Sequence, residues 1–350
     1  MTEEQQSILE KAGIGGVTDV SRYGSGHINE TYKVETAAGV RYILQKVNTS
    51  IFDPELLKTN VTRVTSFLKT KGVRSLEVLA YENPWRIYSF LDGYTSRDVV
   101  ERPSQAYDVG RAFAKFQNDL ADMPEPRLEE IIPRFHDTPD RLRQLDEAAA
   151  RDVKGRLAEV GEEMKFVDSW RERAGRIVEL MAKGDIPERV THNDTKINNV
   201  LVSPSGESVV IDLDTTMPGS ALFDFGDMVR TSTAAAAEDE RDLSKVGSRR
   251  DYFEALVKGY LEGAKFLNEA EKSNLVFAGM LSTFEVGIRF LADYLAGDTY
   301  FHVACADHNL ARARNQFRMV RSIGSRPPNT RLLSPSMSEM AKREERIHEI

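Results

Sequence analysis

The sequence predicts an α+β protein with two parts, a small antiparallel-sheet N-terminal lobe and a large, mainly helical C-terminal lobe. Three observations lead to this prediction. Five short stretches of strand-like apolar patterning, separated by turn residues, lie within residues 1–91. Helical periodicity dominates from residue 92 to residue 325. A strand, a Ser-Pro-Ser-Gly turn and a second strand interrupt the helices between Val200 and Ile211.

The expected elements of each lobe follow from this spacing. In the first lobe, glycines end a short N-terminal helix, and glycine-containing turns separate the strands. The elements expected there are a helix at 1–12, strands at 17–23 and around TYKVET and RYILQK, a helix at 54–71, and strands at 76–81 and 85–91. In the second lobe we expect helices at 104–120, 139–183, after MPGS, and at 250–266, 270–296 and 304–322. A Pro/Ser-rich and then charged peripheral tail follows at 326–350.

Composition indicates a globular protein of a reducing compartment. The 350 residues are 41% hydrophobic and 29% charged, and 47 basic against 55 acidic residues give a net charge of −8. This acidity disfavours nucleic acid and anionic membranes as partners. With one cysteine, Cys305, no intrachain disulfide can form. The N-terminus has no signal-peptide pattern and no run approaches eighteen apolar residues, so we expect a cytoplasmic protein that does not span a membrane.

The segment HNDTKINN, with the hairpin and IDLDT that follow it, carries the chemistry. It has the pattern H-x-D-x-x-x-x-N, and a further Asp comes thirteen residues after Asn199. The hairpin would bring Asp194, Asn199 and Asp212 to one point. Two carboxylates and an amide oxygen suit an oxygen-liganded cation such as Mg²⁺, with one carboxylate left as a base. This spacing is typical of kinase catalytic loops and predicts phosphoryl transfer from ATP to a hydroxyl, whereas a lone Asn-Asp would indicate only an Asx-turn.

A glycine-rich hairpin tip precedes that motif in the chain. Its backbone N–H groups could cradle phosphate, although most G-x-G pairs are simply turns. Kinases carry Lys on the third strand of this lobe. Here the alignment puts Gln45 in the lysine register, and Lys46 faces the other way. The end of the fifth strand would offer backbone groups to adenine. The nucleotide contacts expected in this lobe are therefore Gly24, Ser25, Gly26, Gln45, Ser89, Phe90 and Leu91.

Three further residues concern the conformation of the catalytic segment. Asp224 and Asp227 have two interpretations: they brace the catalytic loop by accepting its backbone N–H groups, or they supply the negative charge favoured at a helix N-terminus. His192 is expected to orient the loop rather than to carry a proton.

With HNDTKINN, IDLDTTMPGS and FDFGD identified, the chain resembles the aminoglycoside-phosphotransferase-like branch of the protein-kinase-like fold. Within that branch it resembles the bacterial N-acetylhexosamine 1-kinases. The resemblance includes YGSGHINETY, RYILQ, AFAKFQN, FHDTPDR, DLSKV and GIRFLADYLAGDTYF, and it runs from about residue 20 to residue 320. It implies a bilobal kinase-like fold. It also implies that Gln45 is a subfamily trait, because members of this subfamily carry Gln in the lysine register.

The resemblance implies a role for each matched residue. Asp194 would be the catalytic base, and Asn199 and Asp212 would hold Mg²⁺, while Asp214 would either support these ligands from behind or bind a second metal ion. The sugar contacts that it implies are His27, Asp194, Arg289 and Tyr300. The residues alone leave other interpretations open, with His27 at a loop tip, Arg289 paired with Asp293 one helical turn later, and Tyr300 as a core aromatic.

The implied reaction transfers the γ-phosphate of ATP to the C1 hydroxyl of an N-acetylhexosamine, GlcNAc or GalNAc, and gives the sugar 1-phosphate and ADP. Three alternatives stay open. The chain could be a related kinase acting on a hexose, choline, homoserine or an aminoglycoside. It could be a nucleotide-binding pseudokinase, against which the intact Asp194, Asn199 and Asp212 argue. A metal-dependent hydrolase is the third, and it would leave the glycine-rich loop without a role.

Overall fold

A computed structural model describes residues 1–24 and 28–325. The predicted contacts Ser25, Gly26 and His27, and the tail at 326–350, lie outside the described residues. The chain divides into two compact units. Unit 1 comprises Met1–Ser96, Asp122–Pro133 and Leu201–Pro218, and unit 2 comprises Arg97–Ala121, Arg134–Val200 and Gly219–Ile350.

The helices and strands are numbered in chain order. The helices are α1 (Glu3–Lys11), α2 (Pro54–Thr70), α3 (Pro103–Leu120), α4 (Thr138–Arg151), α5 (Gly161–Asp168), α6 (Arg171–Ala174), α7 (Arg176–Ala182), α8 (Ala221–Thr233), α9 (Arg250–Gly263), α10 (Glu269–Ser273), α11 (Leu275–Leu295) and α12 (His308–Ser325). The strands are β1 (Val17–Arg22), β2 (Glu30–Thr36), β3 (Arg41–Lys46), β4 (Val78–Glu82), β5 (Trp85–Ser89), β6 (Arg189–Thr191), β7 (Val200–Val202), β8 (Ser208–Val210) and β9 (Met217–Gly219).

Unit 1 is built on the five-stranded antiparallel sheet that the sequence predicts. The strands lie in the order β1-β2-β3-β5-β4. Alternating apolar residues of β2, β3 and β5 pack with α1 in one core, which includes Ile8, Leu9, Val34, Leu44 and Ile87. Because β5 lies between β3 and β4, side chains of β3 and β5 meet across the sheet.

The helix α2 fixes two other segments of unit 1. Asp53 caps its N-terminus by accepting hydrogen bonds from the backbone of Glu55 and Leu56. Asn60, fully buried, donates through its side-chain amide to the carbonyl oxygens of Glu129 (2.8 Å) and Thr216 (3.0 Å). The stretch that follows Asp212 is therefore tied to α2 within unit 1.

Unit 2 is helical, and two of its predicted helices are divided. The region 139–183 forms α4 to α7, because Asp152 and Gly155 take left-handed conformations just after α4 and end it. The region 270–296 forms α10 and α11, which are separated at Asn274. A capping box between Asn268 and Glu271 begins α10.

The apolar helix α11 lies at the centre of unit 2 and contacts α4, α8 and α12. Among the described residues it is the one helix whose length and composition would suit a membrane crossing, and 83% of its apolar window is buried inside the protein. A helix was predicted here at 270–296, and no run approaches eighteen apolar residues because Glu285, Arg289 and Asp293 divide the helix into short apolar runs. Where α8 crosses α11, a Cβ on Gly226 would lie 2.1 Å from Ser282 Oγ and 2.4 Å from Ala278 O.

Candidate active site

The segment HNDTKINN forms a loop in unit 2, between β6 and a single 3₁₀ turn at Ile197–Asn199. Asn193 takes a left-handed backbone conformation (φ 64°), which Asn tolerates better than most side chains. Non-glycine residues in this region concentrate at functional sites. The turn places Asn199 next to Asp194 in space.

Asp194 has two polar side-chain neighbours, and both use Oδ2. Asn199 Nδ2 donates to this oxygen at 3.0 Å and to the Asp194 backbone carbonyl at 2.8 Å. Lys196 Nζ lies 2.8 Å from the same Oδ2. The structure thus brings the predicted base and the predicted metal ligand Asn199 together. Lys196 is a site residue that sequence reasoning missed, although its place two residues after Asp194 was visible.

Two buried aspartates of α8 hold the loop from behind. The two carboxylate oxygens of Asp224 accept the backbone N–H groups of His192 (2.9 Å) and Asn193 (2.7 Å), and Asp227 accepts that of Thr195 (2.9 Å). Of the two interpretations of these residues, the bracing of the loop is confirmed. Both carboxylates lie inside the protein, where anions are tolerated only with such donors.

The two bracing carboxylates differ electrostatically. Burial raises the pKa of Asp224, and the hydrogen bonds that it accepts offset this only in part. Burial would raise the pKa of Asp227 as well, but the Arg230 guanidinium, 2.7 Å away, turns the shift downward. Asp227 therefore stays anionic readily, while Asp224 depends on the loop's N–H groups to do so.

His192 orients the loop, as expected. Its ring is fully buried and meets the edges of Phe113 and Phe116 at centroid distances of 5.2 and 5.8 Å. Its Nδ1 accepts the backbone N–H of Asp194 at 3.3 Å. A histidine enclosed by aromatic rings and bonded to backbone is suited to hold a loop rather than to exchange protons.

Asp212 and Asp214 belong to unit 1, just after β8. Asp212 is exposed and takes a left-handed conformation (φ 59°), and a 3₁₀ turn at Leu213–Thr215 follows it. Asp214 is only 3% exposed. Its Oδ2 accepts Asn29 Nδ2 at 2.6 Å, and Arg86 Nη2 lies 2.6 Å from Oδ1 and 2.7 Å from Oδ2.

Gln45 lies in the centre of a polar chain in unit 1. Its Nε2 donates to Thr31 Oγ1 at 2.9 Å, and its Oε1 accepts Nε (2.8 Å) and Nη2 (2.5 Å) of Arg86 from the neighbouring strand β5. Burial alone would lower the pKa of Arg86, and the Asp214 carboxylate more than offsets this, so the guanidinium stays charged. Arg86 was missed by the sequence analysis.

The other predicted nucleotide contacts have a less specific setting. Gly24 takes a left-handed conformation (φ 79°), as a glycine-rich turn requires. The backbone N–H of Ser89 donates to Glu77 O at 2.9 Å, so this group of the predicted hinge is already used within unit 1. Phe90 lies beside Tyr23 at 5.8 Å between ring centroids, close to the base of the glycine-rich tip.

Arg289 and Tyr300 lie together in unit 2 on an aromatic platform, which we define as Phe135, Arg289, Tyr300 and Phe301. The guanidinium carbon of Arg289 is 5.3 to 6.0 Å from the three ring centroids. Tyr300 is 64% exposed, so its interpretation as a core aromatic is wrong.

The carboxylate of Asp293 supports this platform from below. It accepts the backbone N–H groups of Thr299, Tyr300 and Phe301 at 2.8 to 2.9 Å, and Asn309 Nδ2 at 2.8 Å. Asp293 thus anchors the loop of the platform, whereas the alternative interpretation had it pair with Arg289.

A buried polar cluster lies under the platform. Glu285 accepts His136 Nδ1 at 2.7 Å and Thr138 Oγ1 at 2.6 Å, and the His136 ring stacks on Phe223 of α8 at 4.9 Å. The motif FHDTPDR contains His136 and Thr138, but its partner lies 147 to 149 residues away, so sequence patterns could not pair them. The cluster links the platform to the helix that braces the catalytic loop.

Similarity to known proteins agrees with this geometry. Residues 19–262 match the model of the phosphotransferase enzyme family (APH). The chain belongs to this family. It is therefore a phosphotransferase, and the predicted kinase-like fold, with an antiparallel-sheet lobe and a helical lobe, is confirmed.

Solved structures with the same fold are distant in sequence. A choline/ethanolamine kinase family protein from Mesorhizobium loti is 15% identical over 98% of both chains, with a TM-score of 0.61. An amicoumacin kinase in complex with AMP-PNP, Ca²⁺ and Ami is 14% identical over 94% of this chain and 97% of the other, with a TM-score of 0.63. An ADP-bound aminoglycoside phosphotransferase is 12% identical over 92% and 99%, with a TM-score of 0.59. These similarities establish the fold.

The side-chain oxygen atoms of the predicted metal ligands of this phosphotransferase suit a hard divalent cation. The side-chain amide of Asn199 donates a hydrogen bond to Asp194, which leaves Asn199 Oδ1 as a ligand atom. Asp212 is exposed. In the part of the chain that the structure describes, no three His, Cys, Asp or Glu side chains form a metal cluster. Mg²⁺ needs few protein ligands, because phosphate oxygens and water complete its shell. The convergence of Asn199 and Asp212 stays a prediction, since they belong to different units.

A pH-dependent stability effect is expected for Glu285→Gln in this phosphotransferase. Burial would raise the Glu285 pKa, but His136 and Thr138 bring it below the usual 4.5. A carboxylate whose pKa is lowered by folding contributes stability above its unfolded pKa and loses it as the pH falls through its folded pKa. The variant should therefore cost about 1.5–3 kcal/mol at pH 7, and the cost should shrink below about pH 4.5.

Calorimetric melting of both proteins between pH 3.5 and pH 7 measures this difference. Glu269→Gln, at an exposed pair with Lys272, is the matched control and should change little. A pH-independent cost of Glu285→Gln would contradict the prediction.

Proposed function

We propose that this phosphotransferase is an ATP-dependent anomeric kinase, which transfers the γ-phosphate of ATP to the C1 hydroxyl of an N-acetylhexosamine such as GlcNAc or GalNAc. Residues 1–91 would form the nucleotide-binding lobe and residues 92–325 the lobe with the sugar site. The sequence resemblance described above supports the sugar, and the acidic composition with a single Cys305 supports a cytoplasmic location. The aromatic platform is the observation that carries the proposal.

The platform is unfavourable for a cationic acceptor. Arg141, half-buried in the same region, has a pKa lowered first by burial and then by the nearby Arg289 guanidinium. Two guanidinium groups in mutual repulsion would also repel the ammonium of choline or of an aminoglycoside. Glu285 and Asp293, the carboxylates beside them, are buried and already hydrogen-bonded.

A neutral sugar suits the same surface. The exposed Tyr300 ring offers an apolar face, and the planar Arg289 guanidinium offers several N–H donors to hydroxyl or acetamido oxygens. A site that hydrogen-bonds a hydroxyl group strongly rejects an acceptor that lacks this hydroxyl, because the donors of the protein are then left unpaired. His27 would add a third contact.

In the proposed mechanism, the oxygen of the sugar C1 hydroxyl attacks the γ-phosphorus, and Asp194 accepts the proton of that hydroxyl. The bond between the γ-phosphorus and the β–γ bridging oxygen breaks, and ADP leaves. The anomeric hydroxyl is more acidic than an ordinary alcohol, so positioning and charge neutralisation should contribute most. Lys196, 2.8 Å from Asp194, would offset charge on the transferred group.

The nucleotide would be held by the glycine-rich tip, Gln45 and the hinge. Asn199 and Asp212 would ligate Mg²⁺, with Asp214 as an outer carboxylate. Bound there, the ion would neutralise the phosphate oxygens during transfer.

Phosphorus NMR of the products with GlcNAc, GalNAc, glucose, galactose, choline and kanamycin tests the proposal. We expect a new sugar 1-phosphate signal with the two N-acetylhexosamines. Phosphocholine or a phosphorylated aminoglycoside would instead establish the related-kinase alternative. ATP binding without turnover of any acceptor would favour a pseudokinase, and hydrolysis of a phosphate ester without ATP would favour a hydrolase.

The acceptor site makes a separate prediction. Arg289→Met keeps the length of the side chain and removes its donors, so KM for the sugar should rise about 10–100-fold, which corresponds to one or two lost charge-assisted hydrogen bonds. KM for ATP should stay within twofold. Steady-state kinetics with each substrate varied measures both constants. Arg151→Met, in the last turn of α4 with a 74% exposed side chain, is the control. An unchanged sugar KM in Arg289→Met would exclude the platform as the acceptor site.

A further inference from the structure

The strand position that carries Lys in other kinases holds an uncharged Gln45, yet a cation lies beside it. The register of the sheet puts Gln45 directly opposite Arg86, and the two side chains are joined by two hydrogen bonds. Lys46 does not replace the lysine, because its Nζ lies 3.1 Å from Glu4 and 5.3 Å from the Trp85 ring centroid. The cation on the Gln45 face is therefore supplied by β5.

Arg86 reaches the segment that carries the predicted metal ligand. It is 1% exposed, and its partner Asp214 lies two residues after Asp212. Asn29 also bonds Asp214, and Asn60 holds the carbonyl oxygen of Thr216. Side chains of Asn29, just before β2, of Arg86 in β5 and of Asn60 in α2 thus fix residues 214–216 within unit 1.

The burial of the pair determines what it can do. Neither charge is stable alone in this environment, so Arg86 and Asp214 persist only together. Both Asp214 oxygens lie within 2.7 Å of the guanidinium, which leaves this carboxylate poorly suited to bind a cation directly. Asp212, two residues before Asp214, is exposed and takes a left-handed backbone conformation that leads directly into the 3₁₀ turn at Leu213–Thr215.

We propose that Arg86 is a positioning residue which, through Asp214, holds Asp212 in the conformation that ligates the magnesium of the nucleotide complex. Asp214 is then the anchor of this segment rather than a second metal ligand. In this way β5 supplies the positive charge that β3 lacks at Gln45. The inference rests on the proposed role of Asp212 as a magnesium ligand, and it is independent of the acceptor.

The test compares ADP binding with Mg²⁺ and with EDTA by calorimetry, in the wild type, Arg86→Gln, Asp214→Asn and the double variant. We expect the strengthening of ADP binding by Mg²⁺ to fall about 10–100-fold in each single variant, the usual range when a supporting group of a metal ligand is lost. The affinity for metal-free ADP should stay unchanged. Lys46→Gln, a lysine lost from the adjacent position, should behave like the wild type.

The double variant separates positioning from stability, because it contains neither buried charge and we expect it to fold even where a single variant does not. We expect it to recover the melting temperature and not the magnesium effect, while Arg86→Lys recovers part of both. Recovery of the magnesium effect in the double variant would reduce the pair to a structural role. Loss of metal-free ADP binding in Arg86→Gln alone would make Arg86 a phosphate contact. Either result overturns the proposal.

No sugar enters these measurements, so an error in the proposed acceptor appears only in the product NMR. If the ADP affinity of the wild type were the same with Mg²⁺ and with EDTA, both the magnesium role of Asp212 and this inference would be overturned.

Discussion

Asp194→Asn should lower kcat about 10²–10⁴-fold, the usual contribution of a positioned base. The substitution keeps the shape of the side chain and an oxygen that can accept Asn199 Nδ2, so the loop should stay folded. It removes the proton acceptor for the sugar hydroxyl. The measurement is a coupled ADP-release assay at saturating ATP and acceptor.

Two accompanying measurements keep this result specific. The melting temperature and the affinity for Mg·ADP should stay near those of the wild type. Asp168→Asn, which removes an exposed carboxylate paired with Arg171, should retain full activity. Near-wild-type turnover in Asp194→Asn would remove this residue from the role of base.

Asp224→Asn should weaken both stability and catalysis. The carboxylate accepts three buried donors: the backbone N–H groups of His192 and Asn193, and Gln117 Nε2 at 2.6 Å. The amide group of the substituted side chain presents its own N–H to at least one of these three donors. A buried N–H left without an acceptor costs about 1–3 kcal/mol. Because these groups fix the loop before Asp194, kcat should also fall about 10–100-fold, as for lost supporting contacts at other sites.

Urea unfolding measures the loss of stability, and kcat at a temperature where the variant is fully folded measures the loss of catalysis. Asp251→Asn, an exposed aspartate at the start of α9, is the control. If the folded variant turned over at the wild-type rate, Asp224 would be a stability determinant alone.

Local patterns predicted much of this fold. Alternation and glycine turns indicated the five strands of unit 1, and the spacing of HNDTKINN indicated the contact between Asp194 and Asn199. These features depend on neighbours in sequence, which a pattern contains. The bracing by Asp224 was one of two interpretations, because a carboxylate at a helix start satisfies either.

Contacts between distant segments could not be predicted in this way. The pairing of Arg86 with Gln45 depends on β5 lying beside β3, and its ion pair with Asp214 joins residues 128 apart. One signal was available, since an arginine within the apolar strand WRIYS requires a buried anion. The contact of Glu285 with His136 had no comparable signal on α11.

The missing side chain at Gly226 links catalysis to helix packing. A methyl group there would collide with Ser282 and the backbone of Ala278, so α8 would have to move away from α11. Since α8 also carries Asp224 and Asp227, that movement would displace the loop through its N–H anchors. Libraries that seek new acceptors should therefore diversify the solvent-facing Tyr300 loop and leave the seam between these two helices unchanged.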